Sequence, residues 1–235
     1  MLRSFILLAF WGIATPLAAL FLFPYTFLTG DIDTLYWVAL SIVRAGLRLA
    51  GVRILRLGLE NLDPARAYIY MSNHVSNLDP PVLIASLPQR TSVMAKKELF
   101  RIPVLGRAMR MASLVPIDRR NKDAAISSVR AAGEVLRSGL SMVVFPEGTR
   151  SADGGLQPFK KGPFHMAIET GAAVVPVTVL NTGGMLPKRS TRLRAGTATV
   201  IFHPPVTAAS FRNREELMEA VRNAIAGSLA RPAAG

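Results

Sequence analysis

An uncharged apolar segment at the N-terminus places the strongest constraint on how this chain can fold. From Ser4 to Gly30 no residue carries a charge, and most positions are Leu, Phe, Ala or Ile. Such a segment is long enough in principle to cross the ~30 Å hydrocarbon core of a bilayer. It extends beyond the apolar part of an ordinary signal peptide, and no small-residue cleavage site with a polar sequence after it is present. We therefore expect a retained, membrane-embedded helical segment.

Two prolines restrict the form that this segment can take. Pro16 and Pro24 each remove a backbone donor and kink or end a helix. The segment is therefore expected to be either a single kinked transmembrane helix or a helical hairpin that enters one leaflet and returns. The following stretch, 34–52, has apolar residues at helical spacing, with Arg44 and Arg48 one turn apart. This pattern predicts an amphipathic helix at the membrane interface, with a core helix as the alternative.

The remainder of the chain has the pattern of an α/β domain. Short runs rich in β-branched residues predict strands, and helical patterns lie between them. The predicted strands are 68–71, 92–95, 114–117, 142–145, 174–180 and 197–202, and the predicted helices are 80–86, 104–112, 123–137, 162–170 and 214–229. This alternation indicates a mostly parallel or mixed sheet flanked by helices. We divide the chain into a membrane-associated helical segment, residues 1–52, and an α/β domain, residues 53–235.

The charge of the chain favours anionic partners. Lys and Arg number 28 against 15 Asp and Glu, so the formal net charge is +13, which suits phospholipid headgroups, phosphorylated substrates and nucleic acid alike. The sequence has no motif of the usual nucleic-acid-binding kinds, so we expect no nucleic-acid partner. Cysteine is absent and the three histidines lack a metal-ligand spacing, so we expect neither a thiolate nucleophile nor a catalytic metal.

A histidine and an aspartate follow the first predicted strand of the α/β domain. His74 and Asp79 belong to the sequence Asn-His-Val-Ser-Asn-Leu-Asp that begins at residue 73, at a strand's carboxyl end, where α/β sheets gather ligands. Five residues rotate a helix by about 500°, so a turn must bring the two side chains together. Asp79 is also suited to be the N-cap of a helix that begins at Pro80. The pattern predicts a general base, His74, whose imidazole is oriented by Asp79.

A second polar segment follows the predicted strand 142–145. It reads Phe-Pro-Glu-Gly-Thr-Arg-Ser over 145–151, a turn whose backbone N–H groups and arginine could hold an anion. The stretch 87–122 adds nine basic residues against two acidic ones. We expect Lys96, Arg119 and Arg150 to bind a phosphate. The other basic residues are expected to form a solvated or membrane-facing surface.

These segments, taken in order, resemble the sequence blocks of a known family. The blocks lie at 73–79, 115–119, 145–151 and 175–177. They resemble the four blocks of the glycerolipid acyltransferases, above all the bacterial 1-acyl-sn-glycerol-3-phosphate acyltransferases, also called lysophosphatidate acyltransferases. The second block of such relatives often begins with a glycine, in the region where this chain has Ala112 and Ser113.

The resemblance implies an O-acyltransferase that moves a fatty acyl group from acyl-CoA or acyl-carrier protein to the sn-2 hydroxyl of 1-acyl-glycerol-3-phosphate, giving phosphatidate. His74 would be the general base and Asp79 its orienter. The acceptor site would contain Lys96, Arg119, Glu147, Gly148, Thr149 and Arg150. No cofactor is implied beyond the donor, and the partners would be lysophosphatidate and membrane phospholipid. The resemblance to the bacterial enzymes implies the bacterial inner membrane, and basic residues after the apolar run favour an active site that faces the cytoplasm.

Two alternatives remain at this point. A sister acyltransferase would act on another acceptor, such as glycerol-3-phosphate, a lyso-ornithine lipid or another lysophospholipid, because the motifs do not specify the acceptor. A basic membrane-anchored protein that binds without chemistry is the alternative from a different class. Such a protein would not need His74, Asp79 and Glu147.

Overall fold

Helices and strands alternate along this computed structural model, which describes residues 1–118 and 122–230. The described helices are α1 (Leu2–Thr29), α2 (Ile32–Leu49), α3 (Asp79–Ser86), α4 (Leu105–Met111), α5 (Lys122–Arg137), α6 (Gly162–Thr170), α7 (Thr182–Met185) and α8 (Arg214–Leu229). The described strands are β1 (Val52–Leu57), β2 (Tyr68–Ser72), β3 (Thr91–Lys96), β4 (Val115–Ile117), β5 (Ser141–Val144), β6 (Ala173–Leu180) and β7 (Gly196–Phe202). Each strand and helix predicted for the α/β domain is present, with its ends within one residue. The sequence analysis did not predict β1 or α7.

The described strands form one sheet in the order β1-β7-β6-β2-β5-β3-β4. The neighbours from β6 through β2, β5 and β3 to β4 are parallel, whereas β7 is antiparallel to β6 and parallel to β1. The prediction of an α/β fold with a mixed sheet flanked by helices is therefore confirmed. Because these parallel strands run in one direction, their carboxyl ends meet along one side of the sheet, which we call the carboxyl edge.

Each face of the sheet packs against its own hydrophobic core. Successive residues of β2 alternate between the cores, with Tyr68 and Tyr70 in one and Ile69 and Met71 in the other. This alternation follows from the two-residue period of a strand. Helices α2 and α3 cover the first face, and α5, α6 and α8 cover the second. A strand buried on both faces must be apolar throughout, and β2 is buried along its whole length.

The first two helices form an antiparallel hairpin. The indole N–H of Trp11 donates to the carbonyl of Ile42 at 3.2 Å, and Arg3 donates to the carbonyl of Ala50 at 3.2 Å. Gly30 ends α1 with a φ of 72°, a left-handed conformation that glycine adopts without strain. The chain then reverses into α2 within a few residues. The beginning of α1 therefore lies beside the end of α2.

The prolines do not divide α1, so this segment is one helix, as in the first of the two predicted forms. Pro16 and Pro24 both lie inside it, and α2 packs along it. Large apolar side chains along α1, such as Phe5, Ile13 and Phe21, are about 70% exposed. Within the described part of the chain, α1 alone is long and apolar enough to cross a membrane. An exposed apolar helix of this kind is suited to membrane association.

Helix α2 packs its apolar face against the α/β domain. Leu40 and Leu47 lie in the first core, and the Nε of Arg44 donates to the carbonyl of Ala85 in α3 at 3.1 Å. This packing corresponds to the core helix that was the alternative to an interfacial helix. The division of the chain after residue 52 stays a prediction, and α2, which precedes it, shares the core of the α/β domain.

The turn just before the second sequence block, 115–119, contains a strained backbone position. Ser113 has a φ of 60°, in the left-handed region that glycine adopts readily and other residues do not. The family resemblance implies a glycine in this region of many relatives, and a glycine would adopt this backbone shape without strain. Its carbonyl accepts from the hydroxyl of Ser92 at 2.6 Å, which holds the turn against β3.

Replacing Ser113 by glycine is expected to raise the free energy of unfolding by up to about 1 kcal/mol, because the left-handed strain disappears. Thermal unfolding in detergent measures the change. Ala112→Gly is the matched control, because Ala112 has a φ of −80° and glycine there should lower stability by about 0.5–1 kcal/mol. A loss of stability in Ser113→Gly equal to that of the control would contradict the expectation.

Candidate active site

The turn after β2 brings His74 and Asp79 together, as the sequence predicts. The Nδ1 atom of His74 lies 2.8 Å from Oδ2 of Asp79, and both side chains are buried. Asp79 is the first residue of α3 and Leu78 is its N-cap, which corrects the N-cap role predicted for Asp79. The carboxylate instead accepts from the backbone N–H groups of Val75 and Ser76, both at 2.7 Å. The contact occupies Nδ1, so the imidazole can take a proton from a substrate only at Nε2.

Polar side chains of the turn itself set its shape. The amide of Asn73 pairs with the backbone of Val179, accepting from its N–H at 2.8 Å and donating to its carbonyl at 2.9 Å. This pairing prolongs the contact between β2 and β6 beyond the end of β2. The hydroxyl of Ser76 donates to the carbonyl of Leu186 at 2.8 Å and accepts from the N–H of Leu78 at 3.1 Å. The backbone of the His74 turn is thus fixed to the segment after β6.

Thr182 provides a further donor to Asp79, and the sequence analysis missed it. Its hydroxyl donates to Oδ1 of Asp79 at 2.5 Å, and the residue is fully buried at the start of α7. Both oxygens of Asp79 therefore have donors, which holds the carboxylate in one orientation. In the sequence, Thr182 is recognisable only as a threonine shortly after the buried strand β6. Its contact with Asp79 can be inferred only once β6 is known to lie beside β2.

Glu147 holds the backbone of His74. Its Oε1 accepts from the N–H of His74 at 2.7 Å, and its Oε2 accepts from the N–H of Gln157 at 2.9 Å. The residue is 2% exposed, and this burial raises the pKa of its carboxyl group. The resemblance implies that Glu147 contacts the acceptor, whereas these contacts are with the backbone. They make Glu147 a residue that positions the base.

The rest of the segment 145–151 packs around the base. The ring of Phe145 stacks on the imidazole of His74 with 4.2 Å between the ring centroids. The N–H of Ser151 donates to the carbonyl of His74 at 2.7 Å, and the N–H of Gly148 donates to the carbonyl of Phe145 at 3.0 Å. Gly148 has a φ of 72°, which the tight turn requires. The N–H and the carbonyl of the His74 backbone are therefore both bonded to residues of the segment 145–151.

The predicted phosphate-binding residues lie toward the surface of the carboxyl edge. Thr149 is exposed and Arg150 is half-buried. Lys96 ends β3, and its ammonium is 3.7 Å from the carboxylate of Glu98. One strand, β5, separates β3 from β2, so at ~5 Å per strand Lys96 lies about 10 Å along the edge from the His74 turn. Arg119 lies outside the described residues, so its predicted role stays a prediction.

Replacing Glu147 by glutamine is expected to destabilise the fold by about 1–3 kcal/mol, because an amide cannot accept from both backbone N–H groups. The rate of the reaction should fall with it, since the backbone of His74 loses a fixed partner. Thermal unfolding and turnover measure the two effects. Glu134→Gln is the control, because Glu134 is exposed and its side chain bonds only Arg137 in the described structure. Equal stability of the two variants would contradict the expectation.

The raised pKa of Glu147 also predicts a dependence on pH. Above that pKa the carboxyl group is charged, and its burial lowers the stability of the fold. As pH falls, the folded protein takes up a proton at Glu147 before the unfolded chain does. The fold then becomes more stable, because the buried group is neutral. Glu147→Gln stays neutral and lacks this change. The stability of the wild-type protein relative to the variant should therefore increase as pH falls from neutrality. A constant difference across that range would contradict this assignment.

The fold and the site together define a membrane-associated transferase. A buried His–Asp pair lies at the carboxyl edge of an α/β sheet, with cations along that edge and an exposed apolar helix on the same domain. The sequence has no Gly-x-Ser-x-Gly elbow to provide a nucleophile. Within the described residues no group of three His, Asp or Glu side chains could hold a metal ion. The arrangement suits a base that activates the hydroxyl of an acceptor.

Comparisons with known proteins give the family. A family model described as Acyltransferase matches residues 53–180. The chain is 40% identical over 175 residues to 1-acyl-sn-glycerol-3-phosphate acyltransferase BAT2, chloroplastic, of Brassica napus, a match that covers 73% of this chain and 49% of the relative. It is 32% identical over 190 residues to the 1-acyl-sn-glycerol-3-phosphate acyltransferase of Borreliella burgdorferi, covering 80% and 76%. The chain belongs to the acyltransferase family, which confirms the family predicted from the sequence blocks.

A solved structure has the same fold. The crystal structure of the 1-acyl-sn-glycerophosphate (LPA) acyltransferase PlsC from Thermotoga maritima matches with a TM-score of 0.86 and 26% sequence identity, covering 99% of this chain and 97% of that one. The agreement includes the N-terminal helices, because nearly the whole chain is covered. The chain spans about half the length of the plant and algal relatives that it matches, 49%, 42% and 52% of them.

Proposed function

We propose that this protein transfers a fatty acyl group from a thioester donor to the sn-2 hydroxyl of 1-acyl-glycerol-3-phosphate, giving phosphatidate. The observation that carries this proposal is the buried contact of 2.8 Å between His74 Nδ1 and Asp79 Oδ2, since it leaves Nε2 as the basic atom of the site. The names of the relatives from Brassica napus and Borreliella burgdorferi support the choice of acceptor.

The proposed mechanism is direct attack by the acceptor. Nε2 of His74 takes the proton of the sn-2 hydroxyl while the oxygen attacks the thioester carbonyl, which forms the new C–O bond. The carbonyl then re-forms, the C–S bond breaks, and the leaving sulfur takes the proton from the imidazolium. Asp79 stabilises the transient positive charge on the ring. General-base help of this kind contributes typically about 10²–10⁴-fold to the rate.

The proposal assigns the acceptor phosphate to basic side chains and the acceptor's acyl chain to the bilayer. The phosphate of lysophosphatidate binds the cations Lys96 and Arg150, with Arg119 as a further partner, because guanidinium and ammonium groups pair strongly with phosphate. The exposed apolar face of α1 holds the carboxyl edge at the bilayer, where the acceptor resides. The location is the bacterial inner membrane with the site on the cytoplasmic side. The donor is acyl-CoA or acyl-carrier protein.

The test is acyl transfer by purified protein in detergent with labelled oleoyl-CoA. Lysophosphatidate is expected to be converted to phosphatidate, whereas glycerol-3-phosphate, a lyso-ornithine lipid and other lysophospholipids give little product. Product with another acceptor alone would assign the protein to a sister acyltransferase. Absence of product with every acceptor, from oleoyl-CoA and from oleoyl-acyl-carrier protein, would overturn the proposal.

A further inference from the structure

A cavity of about 350 Å³ opens at the carboxyl edge beside the His74 turn. Its walls include Asn73, Val75, Gly183, Gly184, Pro187 and Lys188. These residues belong to the turn that carries the base and to the segment after β6. Because β6 and β5 lie on opposite sides of β2, the cavity and Lys96 lie on opposite sides of His74. The cavity is therefore separate from Lys96, whereas Arg150 lies near it, because the carbonyl of Arg150 accepts from Lys188 of the cavity wall at 2.7 Å.

The cavity is lined mostly by uncharged residues. Its charged lining residues are Lys188 and Asp153. The carboxylate of Asp153 accepts from the hydroxyl of Ser151 at 2.7 Å and from the N–H of Gly155 at 3.0 Å. Val75 and Leu180 contribute apolar surface, and α7 contributes glycines. A Cβ atom built on Gly184 meets no atom within 4 Å, so a side chain there would extend into open space. The side-chain amide of Asn73 is already bonded to Val179. Such a lining fits an uncharged chain better than a charged headgroup.

A strongly basic segment, residues 187–194, continues outward from the cavity. It contains Lys188, Arg189, Arg192 and Arg194 and no acidic residue. The three arginines are exposed, and none of them takes part in the ion pairs formed among the described residues. Lys188 lines the cavity, and its Nζ donates to the carbonyl of Arg150 at 2.7 Å. Lys188 thus brings the positive charge of this segment to the wall of the cavity.

The basic segment is held in place by the N-terminal helix. The hydroxyl of Ser4 in α1 donates to the carbonyl of Thr191 at 2.5 Å and accepts from the N–H of Leu193 at 2.8 Å. The N–H of Arg194 donates to the carbonyl of Met185 in α7 at 2.8 Å. These backbone contacts fix the path of the segment beside the cavity and leave the arginine side chains at the surface.

We propose that the cavity takes the pantetheine arm of the acyl donor and that the basic segment binds the donor's phosphates. The inference rests on the proposed function and names the donor site of the same base. Coenzyme A and acyl-carrier protein share a phosphopantetheine arm, in which a thioester is followed by an uncharged amide chain and then by phosphate. The surface has a similar order: the turn that carries His74, the mostly uncharged cavity lined by Asn73 and Val75 of that turn, and then the cations of residues 187–194. The donor then reaches the base from the β6 side, and Lys96 lies on the other side.

The KM values for the two substrates test the donor site. Arg189→Gln, Arg192→Gln and Arg194→Gln are combined in one variant, which removes exposed phosphate partners, and the KM for oleoyl-CoA is expected to rise about tenfold. The KM for lysophosphatidate is expected to stay within about twofold of the wild-type value, as for groups outside the acceptor site. The control carries the same charge change at exposed arginines elsewhere, as Arg130→Gln, Arg137→Gln and Arg212→Gln. A rise in the KM for lysophosphatidate instead, or equal behaviour of the two triple variants, overturns the inference.

A second variant tests the cavity without changing charge. Gly184→Leu fills the open space and is expected to raise the KM for oleoyl-CoA without raising the KM for lysophosphatidate. Gly227→Leu in α8 is the matched control, because a Cβ there also meets no atom within 4 Å and the residue is exposed. Unchanged donor kinetics in Gly184→Leu would overturn the assignment of the cavity.

Further measurements separate this inference from the proposed function. Binding of coenzyme A, followed by calorimetry, should weaken about tenfold in the arginine variant. If the arginine variant binds coenzyme A more weakly but the wild-type protein forms no phosphatidate, the proposed donor site is supported and the proposed acceptor is wrong. If the wild-type protein forms phosphatidate but the arginine variant keeps its affinity for both oleoyl-CoA and oleoyl-acyl-carrier protein, the proposed donor site alone is wrong. Weaker binding to phosphatidylglycerol vesicles with unchanged donor affinity would assign the arginines to the lipid surface and overturn the inference.

Discussion

Alanine at His74 is expected to lower the rate of acyl transfer by about 10²–10⁴-fold, because the site loses the imidazole proposed as its general base. The loss should appear in kcat, since the imidazole acts as the hydroxyl attacks and contributes little to holding either substrate. Transfer from labelled oleoyl-CoA to lysophosphatidate measures the effect. Circular dichroism and thermal unfolding of the same preparation establish that the variant is folded.

His165→Ala is the control for that experiment. His165 is exposed on α6, where its Nε2 lies 3.2 Å from the carboxylate of Glu169. Its replacement should leave turnover unchanged. Wild-type turnover in a folded His74→Ala protein would exclude general-base catalysis by this residue and return the non-catalytic binding protein to consideration.

Replacing Asp79 by alanine is expected to cost about 3–5 kcal/mol of stability and to lower turnover by at least ~10²-fold. The carboxylate is fully buried, and its removal leaves the backbone N–H groups of Val75 and Ser76 without their acceptor. The imidazole of His74 also loses the contact that fixes its orientation. Unfolding by urea and the acyl transfer assay measure the two losses separately.

Asparagine at Asp79 separates charge from shape. The hydroxyl of Thr182 can rotate to accept from the new NH₂ group, so Asp79→Asn should be more stable than Asp79→Ala while remaining impaired in turnover. Asp63→Asn is the control, because Asp63 is exposed. Full activity in Asp79→Asn would show that the negative charge does not assist the imidazolium. Equal stability of the two Asp79 variants would contradict the hydrogen-bond role.

The fold could be predicted from sequence where the signal is local. Strands such as β2 and β6 are apolar along their length because both faces of the sheet are covered, and the helices between them show a period of 3.6 residues. The strand β1 escaped prediction because Arg53 and Arg56 interrupt its apolar residues. That strand pairs only with β7 in the described sheet and is buried only at Val52. Its identity depends on a partner almost 150 residues further along the chain.

The prolines of α1 left open whether this segment forms one helix or two. A proline removes one hydrogen bond, and the sequence alone does not show whether packing against another helix compensates for that loss. Trp11 provides part of this packing, because its indole lies against Gly46 and Ile42 of α2. Only the position of α2, which depends in turn on the core of the α/β domain, decides the outcome.

The candidate site was predictable to the extent that its residues are neighbours in sequence. His74 and Asp79 are five positions apart and meet across one turn. The partners of this pair are distant: Thr182 donates to Asp79, and Glu147 accepts from the backbone of His74. Their roles depend on β6 and β5 lying on either side of β2, which no local pattern specifies. The roles of Lys96, Arg119 and Arg150 toward phosphate stay predictions.

The bonds between Glu147 or Ser151 and the backbone of His74 have a consequence for how such a protein can change over generations. These contacts use the backbone N–H and carbonyl of His74. A side-chain substitution in the histidine turn therefore cannot compensate for a change in the segment 145–151. A chimera that takes one motif from a distant relative should therefore be defective even when every transplanted residue is correct, and exchanging both motifs together should restore it. We therefore expect the two segments to vary together among related proteins.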